Sequence, residues 1–279
     1  MSTGVTWVCG ETGLRLRAGA DTHTGNYRET NQDRVHLDAH LPLALVFDGM
    51  GIQPAGERAA ELGATATCDY LHQHYSHTNA AAALAAALRT AHDRIRAWHD
   101  EAAENRNVGT CVVAALVCEG RVHVAWSGDS MAYLVRDGTA KRLTRPHDLR
   151  RALVEAGTYT EAEANEMRGG FQLWRYLGCS EFRSDAVSFD PRPGDQLVLA
   201  TDGVYGVLSD EFLADVCGAA PDPTSCAEAL IELALQANSR DNCTAAVLAF
   251  DQLADSAPEP EAPPAQPLAL RKWLWQFWK

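Results

Sequence analysis

Apolar positions along the chain follow two rhythms. Short runs rich in aliphatic and β-branched residues predict strands: "RVHLD" (34–38), "LALVFDG" (43–49), "TCVVAALVCEG" (110–120), "RVHVAWSG" (121–128), "MAYLVRDG" (131–138), "AVSF" (186–189), "DQLVLATDG" (195–203) and "TAAVLAF" (244–250). Glu119-Gly120 and Asp137-Gly138 separate consecutive runs, which favours tight hairpins and antiparallel pairing. The helical rhythm comes in pairs: 55–75 with 79–105, and 209–220 with 224–238. In the second of these segments Leu84, Leu88, Ala91, Ile95 and Trp98 recur at the spacing of one helix face, the signature of a stripe packed on a sheet. Antiparallel strands with two helix pairs predict an α+β fold, two packed antiparallel sheets in a β-sandwich with helices on both outer faces.

Composition narrows the function classes. The 279 residues are 46% apolar, ample for a large core. A net charge of −13 argues against a nucleic-acid partner, which requires a concentrated basic face. An acidic chain that handles phosphate esters needs metal cations to offset the repulsion. The eight cysteines contain no C-x-x-C pair and sit mostly in apolar runs, as expected of reduced, buried thiols in a cytoplasmic protein. No signal peptide and no run long enough to span a bilayer is read from the sequence.

The chemistry lies in aspartates at strand ends. Asp48 ends "LALVFD" and is followed by Gly49, and Asp202 ends "LVLATD" and is followed by Gly203. Asp129 follows "VAWSG", while Asp33 and Asp241 stand just before strands. One Asp-Gly after a strand is commonly only a turn. Five such residues meeting in one pocket would repel each other severely unless cations lay among them. Oxygen ligands without Cys or a His pair select Mg²⁺ or Mn²⁺ rather than zinc. The alternative zinc pair in "HLDAH", His36 and His40, alternates like a strand and is not favoured. Two such ions lower the pKa of a bridging water and make it a nucleophile near neutral pH. Arg28, five residues before Asp33, is the candidate guanidinium for gripping a phosphate.

In order and spacing, "ADTHTGNYRETNQD" (20–33), "LVFDGMG" (45–51), "VGTCVVAAL" (108–116), "SGDSMAYLVRDG" (127–138), "LTRPHDL" (143–149), "PGDQLVLATDGVYGVLSD" (193–210) and "SRDNCTAAVL" (239–248) resemble the metal-dependent protein phosphatases of the 2C type. The resemblance covers about residues 14–250. It implies a bacterial-type serine/threonine phosphatase requiring Mn²⁺ or Mg²⁺, with two ions and room for a third. Asp48 would bridge the two ions with the Gly49 carbonyl on one, and Asp202 and Asp241 would hold the other. Asp33 would act through water on the ions, Asp129 would bind a third ion, and Arg28 would receive the substrate phosphate. The expected substrate is a phosphorylated protein supplied by a cognate Ser/Thr kinase. Two other readings are a catalytically silent binding module, which would have no need of the carboxylates, and a phosphatase of non-protein esters.

The chain departs from the family at three places. Met50 stands where many eukaryotic members have His, Met131 where Arg usually follows Gly-Asp-Ser, and Ile52 where Gly is usual. Residues 150–178 correspond to the variable flap, either a plain helical cover or a substrate-selecting wall. His147 and His23 are conceivable proton donors but are not assigned to the site. Residues 1–251 are expected to form the catalytic domain, followed by a Pro/Ala/Glu-rich linker (252–267) and an aromatic, basic, amphipathic tail (268–279). The tail suits a membrane surface, a partner's groove or the chain's own domain, so the expected location is cytoplasmic or peripheral at the inner membrane surface.

Overall fold

Complete burial of β-strands on both faces is what a covered sandwich demands, and Gly109–Cys118 is buried at every position. The computed structural model describes residues 3–9, 14–52, 54–102, 108–167 and 169–252. The aromatic tail, and the linker expected beyond Gln252, lie outside the described residues.

The chain passes through β1 (Thr3–Cys9), β2 (Leu14–His23), β3 (Arg34–Leu37) and β4 (Leu43–Met50) into α1 (Ala55–His74) and α2 (Ala80–Ala102). Two hairpins follow, β5 (Gly109–Cys118) with β6 (Arg121–Ser127) and β7 (Met131–Arg136) with β8 (Thr139–Arg142). The short helices α3 (Leu149–Glu155) and α4 (Glu161–Glu166) precede β9 (Asp185–Phe189), β10 (Gln196–Ala200) and the single-turn α5 (Asp202–Tyr205). The helices α6 (Asp210–Ala219) and α7 (Pro223–Gln236) then lead to β11 (Cys243–Gln252). One sheet has the order β1-β2-β11-β10-β7-β8 and the other β3-β4-β5-β6-β9, with antiparallel pairing throughout. The expected fold class is therefore the observed one.

Three apolar layers hold this stack together. The stripe Leu84, Leu88, Ala91 and Ile95 is buried with Leu45, Phe47 and Val112 on the outer face of the five-stranded sheet, and Trp98 packs at its edge. On the other side Leu213, Cys226 and Leu230 pack with Val198 and Val247. Val46, Val113, Leu199, Ala246 and Leu248 fill the space between the sheets. The alternation of Phe47 and Val46 between layers is the two-residue period of a strand. Both hairpin turns are tight, with positive φ at Glu119-Gly120 and at Asp137-Gly138, as the right-handed strand twist favours.

Strands β1, β2 and β8 add to the sequence reading. In β2 the buried Leu16, Ala18 and Ala20 alternate with Arg15 and Arg17, which reach Asp251 on the adjoining strand. Six of the described cysteines are buried, whereas Cys68 is only partly covered. Antiparallel register brings the aspartate-bearing ends together. Arg34 pairs with Phe47, so Asp33 stands beside Asp48, and Ala200 pairs with Ala245, so the Asp202 and Asp241 ends adjoin.

Replacing the inter-sheet Leu248, fully buried, by Ala is expected to cost about 2–5 kcal/mol in urea unfolding. Ile52→Ala, at a side chain 83% exposed, is expected to change stability by no more than about 0.5 kcal/mol.

Candidate metal centre

Strand ends at one edge of the sandwich open into a cavity of about 730 Å³. Its walls include Arg28, Asp48, Gly49, Asp129, Asp202 and Asp241, together with Gln32, Met50 and Gly51. Six of the seven residues singled out from sequence thus meet there. The seventh, Asp33, lies just behind the wall, 2% exposed.

Local chemistry fixes each carboxylate. Asp33 Oδ2 accepts from the hydroxyls of Thr244 (2.7 Å) and Thr201 (3.0 Å), and its own N–H donates to Asn31 Oδ1 at 3.0 Å. The two threonines are themselves tied, since Thr244 N–H donates to Thr201 Oγ1 at 3.1 Å. Thr110 Oγ1 donates to the Asp48 carbonyl at 2.9 Å, pinning the end of β4 to β5. At Gly49 the backbone packs so closely on the carbonyls of Gly56 and Gln32 that no side chain fits. Asn242 spans three segments: its amide donates to the carbonyls of Thr24 and Thr30, and its Oδ1 accepts from Gln32 N–H at 2.9 Å. This fastens the loop carrying Arg28 to the start of β11.

Asp129 is held by its backbone. Tyr205 in α5 donates its hydroxyl to the Asp129 carbonyl at 3.0 Å. The preceding Gly128 exchanges two bonds with His147: Gly128 N–H donates to His147 Nδ1 at 3.1 Å, and His147 N–H donates to the Gly128 carbonyl at 2.9 Å. His147 is fully buried, stacked on Trp126, and burial pushes its pKa down to about 4. It is a neutral wedge behind the loop and lines no part of the cavity. His23 is also absent from the cavity wall; its Nδ1 accepts from Gly25 N–H at 2.9 Å.

The electrostatics are severe. Burial, followed by Asp33, Asp202, Asp129 and Asp241, pushes the Asp48 carboxyl well above its usual range. Burial pushes Asp33 up to about 7 despite its threonine bonds, and burial with Asp129 and Asp241 pushes Asp202 up to about 7. Asp129 is raised as well, chiefly by burial. Its Oδ1 is buried with no hydrogen-bond partner among the described residues. Among the described residues the one guanidinium on the wall is Arg28, which donates to Asp241 Oδ2 at 2.6 Å near the mouth, where both side chains are partly exposed. It leaves Asp48, Asp129 and Asp202 uncompensated. An all-oxygen donor set, buried and repulsive, with an orphaned carboxylate oxygen, fits hard divalent cations such as Mn²⁺ or Mg²⁺.

The flap contributes the remaining wall through Phe171, Gln172, Leu173 and Tyr176. It is held by side-chain pairs: Arg150 lies over the Phe171 ring at 4.2 Å, Arg175 donates to Glu155 at 2.9 Å, and Arg151 joins Glu155 and Asp185. Of the supporting residues, Thr201, Thr244 and Asn242 escaped the sequence reading, and His147 was weighed only as a proton donor. Asn242 adjoins Asp241 and Thr201 precedes Asp202, so adjacency to the aspartates was the available signal for these two, while Thr244, three residues after Asp241, had none.

A family profile described as protein phosphatase 2C matches residues 23–238. The serine/threonine protein phosphatase PstP of Mycobacterium tuberculosis is 32% identical over 234 residues, 84% of this chain and 45% of that protein. This chain therefore spans less than half the length of that relative. The crystal structure of the M. tuberculosis phosphatase agrees with a TM-score of 0.74 at 30% identity, covering 85% of this chain and 99% of that one. A crystal structure of the PstP catalytic domain in complex with two manganese ions agrees with a TM-score of 0.73, at the same identity and coverage. By sequence match and by fold, the chain belongs to the protein phosphatase 2C family.

Proposed function

We propose that this chain is a metal-dependent phosphoserine/phosphothreonine protein phosphatase, hydrolysing phosphate monoesters and reversing the action of a Ser/Thr kinase. The observation that carries the reading is the convergence of Asp48, Asp129, Asp202 and Asp241 on one cavity with Arg28 at its mouth. A silent binding module has no use for so repulsive a cluster, and the PstP catalytic domain binds two manganese ions.

In this reading Asp48 and the Gly49 carbonyl, with Asp202 and Asp241, hold two Mn²⁺ or Mg²⁺ ions, Asp33 supports them from behind, and Asp129 holds a third. When bound, these ions supply Lewis acidity and charge neutralisation, and bring the pKa of water at the site near neutrality. The protein's own residues do the rest. Thr201 and Thr244 fix Asp33 so that its charge cannot turn away from the centre. Arg28, poised on Asp241, exchanges that carboxylate for the substrate phosphate and orients it by a charge-assisted pair. Phe171 and Tyr176 of the flap form the wall nearest the substrate chain and restrict water beside it. Among the described residues no His lines the cavity, and this reading assigns the leaving oxygen's proton to solvent at the site.

Residues 1–251 constitute the catalytic unit in this reading, and 268–279 a separable tail that docks on a membrane surface or a partner protein. Among the described residues no helix is long and apolar enough to cross a membrane.

Hydrolysis of an aryl phosphate is expected to require added Mn²⁺ or Mg²⁺, to vanish on chelation, and to fall at least 100-fold in Asp202→Asn. Activity that survives chelation, or an active variant, would contradict the metal mechanism. Arg28→Ala is expected to raise KM for aryl phosphate about 10–100-fold, the value of one charged hydrogen bond, with a smaller change in kcat. An unchanged KM would remove Arg28 from phosphate binding.

A further inference from the structure

At the far end of the β3–β4 hairpin, three side chains of metal-ligating type, His36, Asp38 and Cys68, meet, and His72 rests on Asp38 beside them. Asp33 and Asp38 bracket β3, so the two places are separated by a five-residue extended segment, about 17 Å. Asp38 is nearly fully buried, and its Oδ1 accepts from the N–H groups of His40 (2.8 Å) and Leu41 (2.9 Å). Its Oδ2 faces two imidazoles through the same ring nitrogen, His72 Nε2 at 2.7 Å and His36 Nε2 at 3.3 Å. The ligating atoms of His36, Asp38 and the Cys68 thiol all lie within 4.8 Å of one another.

The backbone explains the convergence. Cys68 and His72 are four residues apart on α1 and share a helix face. His36 and Asp38 are two apart along an extended strand and share a side. Helix and strand are packed, so Cys68 converges with His36 and Asp38, and His72 lies one turn on along α1, against Asp38. The sequence reading weighed only His36 with His40 and did not favour zinc; in the structure His40 contributes its backbone N–H to Asp38.

We propose that His36, Asp38 and Cys68, with His72 swinging in from its contact on Asp38 as the fourth ligand, form a second metal site, of zinc type, that clips the C-terminal half of α1 to the β3–β4 hairpin. The donor set is two imidazoles, a thiol and a carboxylate, which suits a borderline-soft tetrahedral ion and contrasts with the all-oxygen cavity. Bonds of 2.0–2.1 Å from a tetrahedral ion place N and O ligands about 3.3 Å apart. The His36–Asp38 separation is already 3.3 Å, and the His72–Asp38 separation of 2.7 Å must widen by about 0.6 Å. The two N–H bonds on Asp38 Oδ1 supply the outer support that orients a ligating carboxylate. Both imidazoles are about two-fifths exposed, which gives an ion a path in, while Asp38 is sealed beneath them.

Cobalt(II), a spectroscopic stand-in for zinc, separates this site from the phosphatase centre. Added to the full chain in excess Mg²⁺, it is expected to give intense visible bands of tetrahedral cobalt and a thiolate-to-cobalt charge-transfer band. One equivalent of Zn²⁺ should abolish both. Cys68→Ser, checked for folding by far-UV circular dichroism, is expected to lose the charge-transfer band. Asp202→Asn is expected to keep it. His72→Ala, altered at a more exposed position, is expected to weaken cobalt binding at least tenfold. A wild-type spectrum without the thiolate band, or a band that persists in Cys68→Ser, or undiminished affinity in His72→Ala, would overturn the proposal.

Discussion

Mutual repulsion among buried carboxylates is the constraint around which this chain is arranged. Antiparallel register delivers Asp33 and Asp48 side by side from one sheet, and Asp202 and Asp241 from the other. Asp129 arrives at the β6–β7 turn. Burial removes the water that would otherwise screen their charges. Left alone, such a cluster relieves itself by taking up protons, and the raised pKa values of Asp33, Asp48, Asp129 and Asp202 record that tendency. Divalent cations relieve it more completely while leaving every carboxylate ionised and usable.

Relief would be useless if the ligands could swing apart, and the supporting bonds address this. Threonine hydroxyls clamp Asp33, Asn242 ties the Arg28 loop to β11, and the neutral His147 locks Gly128 beside Asp129. These supports are neutral groups, so they add rigidity without cancelling the negative field that attracts the ions. Among the described residues Arg28 alone brings opposite charge to the wall, and it stands at the mouth, where the proposed function puts the substrate phosphate. In the proposed function depth therefore sorts the roles: charge to be neutralised lies inside, and charge for recognition lies at the rim. The cluster around Asp38 follows a different rule, with nitrogen and sulfur donors near the surface and a single carboxylate pinned by the backbone.

Much of this was legible in the sequence. The α2 stripe declared its buried face through Leu84, Leu88, Ala91 and Ile95, and the central strands declared themselves through unbroken apolar runs. Strand β8, Thr139–Arg142, did not, because an edge strand that is short and polar carries no burial pattern. The aspartates stood out because several repeated one local design at strand ends. Thr201 and Thr244 did not, because threonine is ordinary in strands and its role appears only when register sets two hydroxyls on one carboxylate. His147 was weighed only as a proton donor, because its work is a backbone contact 19 residues away. Cys68 and His72 became partners of His36 and Asp38 only once α1 was packed on β3, a tertiary fact that local spacing does not contain.

The central claim is that burial and repulsion, relieved by cations, govern the cavity, and stability against pH tests it. Asp33 and Asp202 have folded-state pKa values of about 7 against an ordinary 3.8. A carboxyl whose folded pKa is raised contributes stability below its unfolded pKa, and that contribution is lost as pH rises toward the folded value. Urea unfolding of chelated wild type and Asp202→Asn from pH 5 to pH 8 isolates the cluster, because the buried histidines contribute equally to both. The account predicts that wild type loses stability relative to the variant as pH rises, and that Mn²⁺ at pH 8 stabilises wild type far more than the variant. A difference that stays flat with pH, together with equal responses to Mn²⁺, would contradict it.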